Sequence, residues 1–95
     1  MPKGYIIGHI TVNDPEAYAE YIRLDTPILA ALGGTFVVRG GQSQVTEGKA
    51  EARHVVIEFP SYAAALAAYH DPEYQKVADI RRRSASSTIL VVEGV

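Results

Sequence analysis

Residues 36–60 read Phe36-Val37-Val38-Arg39-Gly40-Gly41, a polar run from Gln42 to Ala52, then Arg53-His54-Val55-Val56-Ile57-Glu58-Phe59-Pro60. Two β-branched and aromatic runs around a polar, glycine-containing connection are the pattern of paired strands joined by a loop. Both runs carry charge among apolar residues: Arg39 on the first, and Arg53, His54 and Glu58 on the second. A charge inside a strand of a small protein lies at an edge, is paired, or lines a cavity.

Working outward from this hairpin, Tyr5 to Val12 is dense in Ile and Val and reads as a first strand. Asn13-Asp14-Pro15-Glu16 then starts a helix. Asp14 caps it, Pro15 suits its first position, and Glu16 favours the positive end of the dipole. Tyr18, Tyr21, Ile22, Ile28, Leu29 and Leu32 recur at helical spacing. Thr26-Pro27 predicts a kink or short break, and Gly33-Gly34 predicts the end of the helix. After the hairpin, Ser61 caps an alanine-rich helix to about His70. Asp71-Pro72-Glu73-Tyr74 then opens a further helical segment to about Arg83, and Ile89 to Glu93 is the last strand. The order strand, helix, strand, strand, helix, strand is the ferredoxin-like βαββαβ pattern. It predicts an α+β fold, a single domain over residues 1–95, with a four-stranded antiparallel sheet and the helices on one face.

The chain has 95 residues, a formal net charge of −2 and no cysteine. The charge argues against a nucleic-acid partner, and the lack of thiols removes disulfide and thiolate sites. No run approaches a membrane span, and Met1-Pro2-Lys3-Gly4 lacks the apolar core of a signal peptide. These features lead to the expectation of a soluble, cytoplasmic protein.

Side chains alternate along strands. Each of the four strands has apolar residues at both parities, yet the helices cover one side only. A large apolar patch left open is rare on a soluble monomer. The expectation is therefore a homodimer packed sheet against sheet about a two-fold axis.

The segments Asp14-Pro15-Glu16-Ala17-Tyr18, Gly34-Thr35-Phe36, Arg39-Gly40-Gly41, Glu47-Gly48, Val55 to Pro60, Asp71-Pro72-Glu73-Tyr74 and Val92-Glu93-Gly94 together resemble the bacterial family called domain of unknown function 1330. The resemblance spans nearly the whole chain. It implies a dimeric α+β barrel, in a superfamily that includes cofactor-free monooxygenases, muconolactone isomerase-like enzymes, haem-dependent relatives and plain ligand binders. Fold does not carry chemistry across by itself.

Five residues stand out as candidates. Arg39 and Glu58, on one face if the register allows, would form a pair in which the guanidinium orients a carboxylate or phenolate ligand; the alternative is a structural ion pair. His9, mid-strand among isoleucines, is a candidate general base with Glu58, or else a hydrogen-bonded core histidine. Tyr21 and Tyr69 would turn their hydroxyls into a cleft between helix and sheet, or simply pack. The catalytic candidates are thus His9 and Glu58, and the ligand-binding candidates are Tyr21, Arg39 and Tyr69. The three histidines lack ligand spacing, so neither a metal nor another cofactor is expected. The reading is a pocket for a small anionic or aromatic substrate, serving a cofactor-independent isomerase or monooxygenase. The alternative is a non-catalytic ligand-binding or structural dimer.

Overall fold

The computed structural model describes all residues, 1–95. Its elements are β1 (Gly4–Val12), α1 (Pro15–Ala31), β2 (Thr35–Arg39), β3 (Arg53–Phe59), α2 (Tyr62–His70), α3 (Pro72–Ser84) and β4 (Ala85–Glu93). The strands form one antiparallel sheet in the order β2-β3-β1-β4, which is the ferredoxin-like arrangement.

The capping signals in the sequence fix the helix starts. Asp14 accepts from the Ala17 N–H at 3.2 Å, and Ser61 accepts from the Ala64 N–H at 3.1 Å. Asp71 accepts from the N–H groups of Glu73 and Tyr74 at 2.9 and 3.1 Å. Each satisfies donors that the helix itself leaves unpaired. Because the Asp71 cap also fixes the first turn that carries Tyr74, Asp71→Ala is expected to cost about 1 kcal/mol in urea unfolding. A change below a few tenths would mean the cap is dispensable.

α1 ends at Ala31, and Gly33, just past the Leu32 cap, has a φ of 97° in the left-handed region that favours glycine. The expected break at Thr26-Pro27 does not occur, and α1 runs through Pro27 unbroken. Pro27 lies on the exposed side, where water can serve the carbonyl that its missing N–H leaves free. The preceding Thr26 Oγ1 donates to the Ile22 carbonyl at 2.6 Å, which holds the turn.

The sheet's two faces follow from its register. Ile6, Gly8 and Ile10 of β1 lie opposite Ile57, Val55 and Arg53 of β3, and all point toward the helices. The core consists of these strand residues with Tyr18, Tyr21 and Leu29 of α1, Ala65 and Ala68 of α2, and Tyr74 and Ala78 of α3, among others. The opposite face carries Tyr5, Ile7, His9, Val56, Leu90 and Val92, and no helix covers it.

β2 departs from simple alternation. Thr35 pairs with Glu58 and Phe36 with Ile57, but the next pairs are Val38 with Val56 and Arg39 with Val55. Val37 is an extra residue, a β-bulge. A one-residue insertion exchanges the faces of everything beyond it. Val38 therefore joins the open face, and Arg39 joins the helix face.

Candidate functional site

A cleft opens between the helix side of the sheet and helices α1 and α3. Its floor is Ile6, Gly8, Ile10 and Val55, and its walls include Ile22 and Phe36. Gly8 leaves a gap mid-strand where any other residue would project a side chain. Into this apolar space point Tyr18, Tyr21, Asp25, Arg39, Arg53 and Tyr74. A few convergent polar groups on apolar walls are the usual make-up of a small-ligand site. The cleft is narrow, with a cavity volume of ≈ 30 Å³ inside ≈ 440 Å³ of unfilled space counted out to its mouth. A ring-sized ligand needs the rim side chains, including the exposed Arg39, to give way.

The polar groups form a chain. The hydroxyls of Tyr21 and Tyr74 lie 2.8 Å apart. Asp25, one helical turn after Tyr21, is 4% exposed. Thr26 Oγ1 lies 3.4 Å from Asp25 Oδ1 and accepts a hydrogen bond from the Arg39 guanidinium. Arg39 also stacks over Phe36 at 4.0 Å, which orients its planar group toward the cleft. Arg53 lies 5.4 Å from the Tyr18 ring. Beneath the tyrosine pair, Arg81 of α3 is 3% exposed and donates through Nη1 to Ser87 Oγ at 2.7 Å.

Burial dominates the electrostatics. It pushes the Asp25 carboxyl up to about 6, against the pull of a hydrogen bond from Tyr21 and the nearby charges of Arg39 and Arg81. Burial also holds the Tyr21 phenol far above its ordinary range, with the neighbouring Tyr74 and Asp25 adding to the effect. The Tyr18 phenol is raised by burial and partly pulled back by Arg53. For Arg81, burial disfavours the charge, but the hydroxyls of Tyr74 and Tyr21 outweigh it and the guanidinium stays protonated. A carboxyl that titrates near neutrality in a cleft can both accept and return a proton.

The structure divides the five candidate residues. Tyr21 and Arg39 line the cleft. His9 and Glu58 point to the opposite face of the sheet, so the expectation of one pocket holding all five is corrected. The Val37 bulge is the reason Arg39 and Glu58 part company. Glu58 instead forms an ion pair with Lys3. His9 faces His54 directly across the β1–β3 ladder, with Nδ1 atoms 2.9 Å apart, beside the Thr11–Glu51 hydrogen bond. Tyr69 lies outside the cleft lining, its ring packed against Tyr74 with centroids 5.9 Å apart.

Asp25 is not marked by the sequence alone, and Arg53, Tyr74 and Arg81 are not assigned to the site by it, although spacing exposes all four. Tyr18, Tyr21, Asp25 and Leu29 form one helical stripe, as do Tyr74, Ala78 and Arg81. Arg53 shares parity with Val55, Ile57 and Phe59. A charge in register with an apolar stripe was the available signal. No three His, Cys, Asp or Glu side chains are grouped as metal ligands, and no helix is long and apolar enough to cross a membrane.

Several solved structures share this architecture. The protein RPA0582 of Rhodopseudomonas palustris, described as of unknown function, is 22% identical over 99% of this chain and 83% of its own, with a TM-score of 0.75. SnoaB, a cofactor-independent oxygenase from Streptomyces nogalater, is 16% identical over 97% of this chain and 92% of its own, with a TM-score of 0.68. An EthD-family protein of Bacillus halodurans is 14% identical over the full length of both chains, with a TM-score of 0.56. At such identities the likeness shows a common fold. No curated protein matches the chain. Residues 3–95 match the family described as Domain of unknown function (DUF1330). With the match running from β1 through β4 and the ferredoxin-like sheet in place, the chain belongs to the DUF1330 family.

Proposed function

We propose that the protein binds a small ring-bearing molecule with an acidic proton in the cleft between sheet and helices, and that Asp25 exchanges that proton. The observation that carries this reading is the buried Asp25 carboxyl, raised to about 6 and set among Tyr21, Tyr74 and Arg39 in an otherwise apolar cleft. Arg39 and Tyr21 would hold the ligand's oxygen, and the apolar walls would hold its ring. Proton removal from such a ring opens cofactor-independent isomerisation or oxygenation, and the shared fold with the cofactor-independent oxygenase SnoaB is consistent with that chemistry. The uncovered sheet face suits a second copy of the chain, with Ile7, Val38, Val56, Leu90 and Val92 as its apolar centre.

The test uses Gly8→Val. A Cβ on Gly8 would meet the flexible tip of the Ile89 side chain at 3.2 Å, which must turn slightly aside, and Ile10 at ordinary contact, 3.5 Å, so the strand tolerates the change while the cleft floor fills. Phenols and β-dicarbonyl compounds that raise the melting temperature of the parent protein are expected to lose at least about tenfold in affinity for Gly8→Val. Thr88→Ala, on the other face, is expected to leave them unaffected. Undiminished binding to Gly8→Val would place the ligand elsewhere. Turnover of a bound compound would separate an enzyme from a non-catalytic binder.

A further inference from the structure

We infer that the cleft takes its ligand as an oxyanion, a phenolate or enolate, seated against the Tyr21–Tyr74 hydroxyl pair with the buried Arg81 guanidinium behind it. The inference rests on the cleft reading above and adds the ionisation state of the ligand and a residue outside the cleft lining that sets it.

Its first ground is a surplus of positive charge. Arg81 is 3% exposed, and its Nε and Nη2 have no hydrogen-bond partner; Arg53 Nε is likewise buried and unpartnered. Buried guanidinium donors without acceptors are costly, and proteins normally pair them. The ion pairs of the chain lie elsewhere, joining Lys3 to Glu58, Arg23 to Glu20 and Arg83 to Asp79. Around the cleft, Arg39 comes from β2, Arg53 from β3 and Arg81 from α3. Asp25 is the only carboxyl among the lining residues. Even fully ionised, it balances one of three positive charges.

The second ground is the direction of the donors. Arg81 lies 5.8 Å from the Tyr21 ring, and its charge interacts with both tyrosine hydroxyls. Two hydroxyls in contact use one O–H between them; the other goes to Asp25 while its carboxyl is ionised and is released to the ligand once Asp25 takes up the proton. The positive charge of the guanidinium beside the pair polarises that remaining O–H and strengthens the bond it gives to an anion. Arg81 is thus a positioning residue acting through the tyrosines. The proton balance closes within the site. The ligand's O–H bond breaks, its electron pair stays on the ligand oxygen, and the proton forms the O–H of Asp25. The charged and titratable groups facing this exchange are Tyr18, Tyr21 and Asp25 of α1, Arg39 of β2, Arg53 of β3, and Tyr74 and Arg81 of α3.

The test uses 4-nitrophenol, whose phenolate absorbs in the visible and whose neutral form does not, with 4-nitroanisole as the counterpart that cannot ionise. The parent protein is expected to bind the phenol at least tenfold more tightly than the anisole. The bound phenol is expected to show the phenolate spectrum about one pH unit below its midpoint in free solution. Arg81→Met should bind it with the spectrum shifted back toward the neutral form, and Arg81→Lys should restore part of the effect. Binding with a neutral spectrum, equal affinity for the anisole, or an unshifted spectrum in Arg81→Met would overturn this inference and leave the cleft reading standing. Failure of both compounds to bind would overturn the two together. If Arg81→Met does not fold, the comparison of phenol with anisole on the parent protein decides.

Discussion

Asp25→Asn is expected to stabilise the protein by about 1–3 kcal/mol at pH 8 and by nearly nothing at pH 4. In the folded chain the carboxyl titrates at about 6, because burial disfavours its charge. In the unfolded chain it titrates near 3.9. Between roughly pH 4 and 6 the folded state therefore binds more protons than the unfolded state. By linkage, stability falls as pH rises through that window and stays lower above it. A displacement of about two pH units corresponds to a ceiling of about 3 kcal/mol. Asparagine keeps the shape and never ionises, so it escapes the penalty but gives up part of the hydrogen bonding from Tyr21 and Thr26. Urea unfolding at the two pH values checks the difference. An equal loss of stability at both would mean that the Asp25 charge is well paired. The same substitution removes the proton acceptor, so any turnover is expected to drop by about 10²–10⁴-fold.

Leu90→Arg is expected to separate the two subunits of the proposed dimer. Leu90 is 40% exposed in the single chain and pairs with Ile7, which also neighbours Val56 across the sheet. A guanidinium there leaves the fold of one subunit intact, because this face of the sheet has no helix over it and the side chain can turn to solvent. In a sheet-to-sheet contact it becomes a buried charge without a partner, which costs about 3–5 kcal/mol. That is on the order of 10²–10³-fold in the dissociation constant. Light scattering is expected to give twice the subunit mass for the parent protein and one subunit mass for the variant, with unchanged far-ultraviolet circular dichroism. A parent protein that runs as a single subunit at micromolar concentration would remove the proposed partner.

These two residues sit on opposite sides of one sheet, and the sequence revealed the two sides unequally. Alternation in β1, β3 and β4 is regular, so the apolar open face could be read by parity. The caps at Asp14, Ser61 and Asp71 are local devices that need only neighbouring residues, and they appear where expected. The bulge at Val37 is set by how β2 pairs with β3, and nothing in Phe36-Val37-Val38 announces it. That single inserted residue moved Arg39 to the cleft and away from Glu58. The short break expected at Pro27 is absent for a related reason: the cost of a proline depends on whether its side of the helix faces water, which only packing decides. Asp25 and Arg81 occupy apolar stripes, where a charge reads as a break in the pattern although it carries the polar content of the cleft.

The most direct measurement is a ¹³C-carboxyl NMR titration of Asp25 in the parent protein. The expected midpoint lies near 6 and moves when 4-nitrophenol enters the cleft. A midpoint near 3.9, unchanged by the ligand, would contradict it.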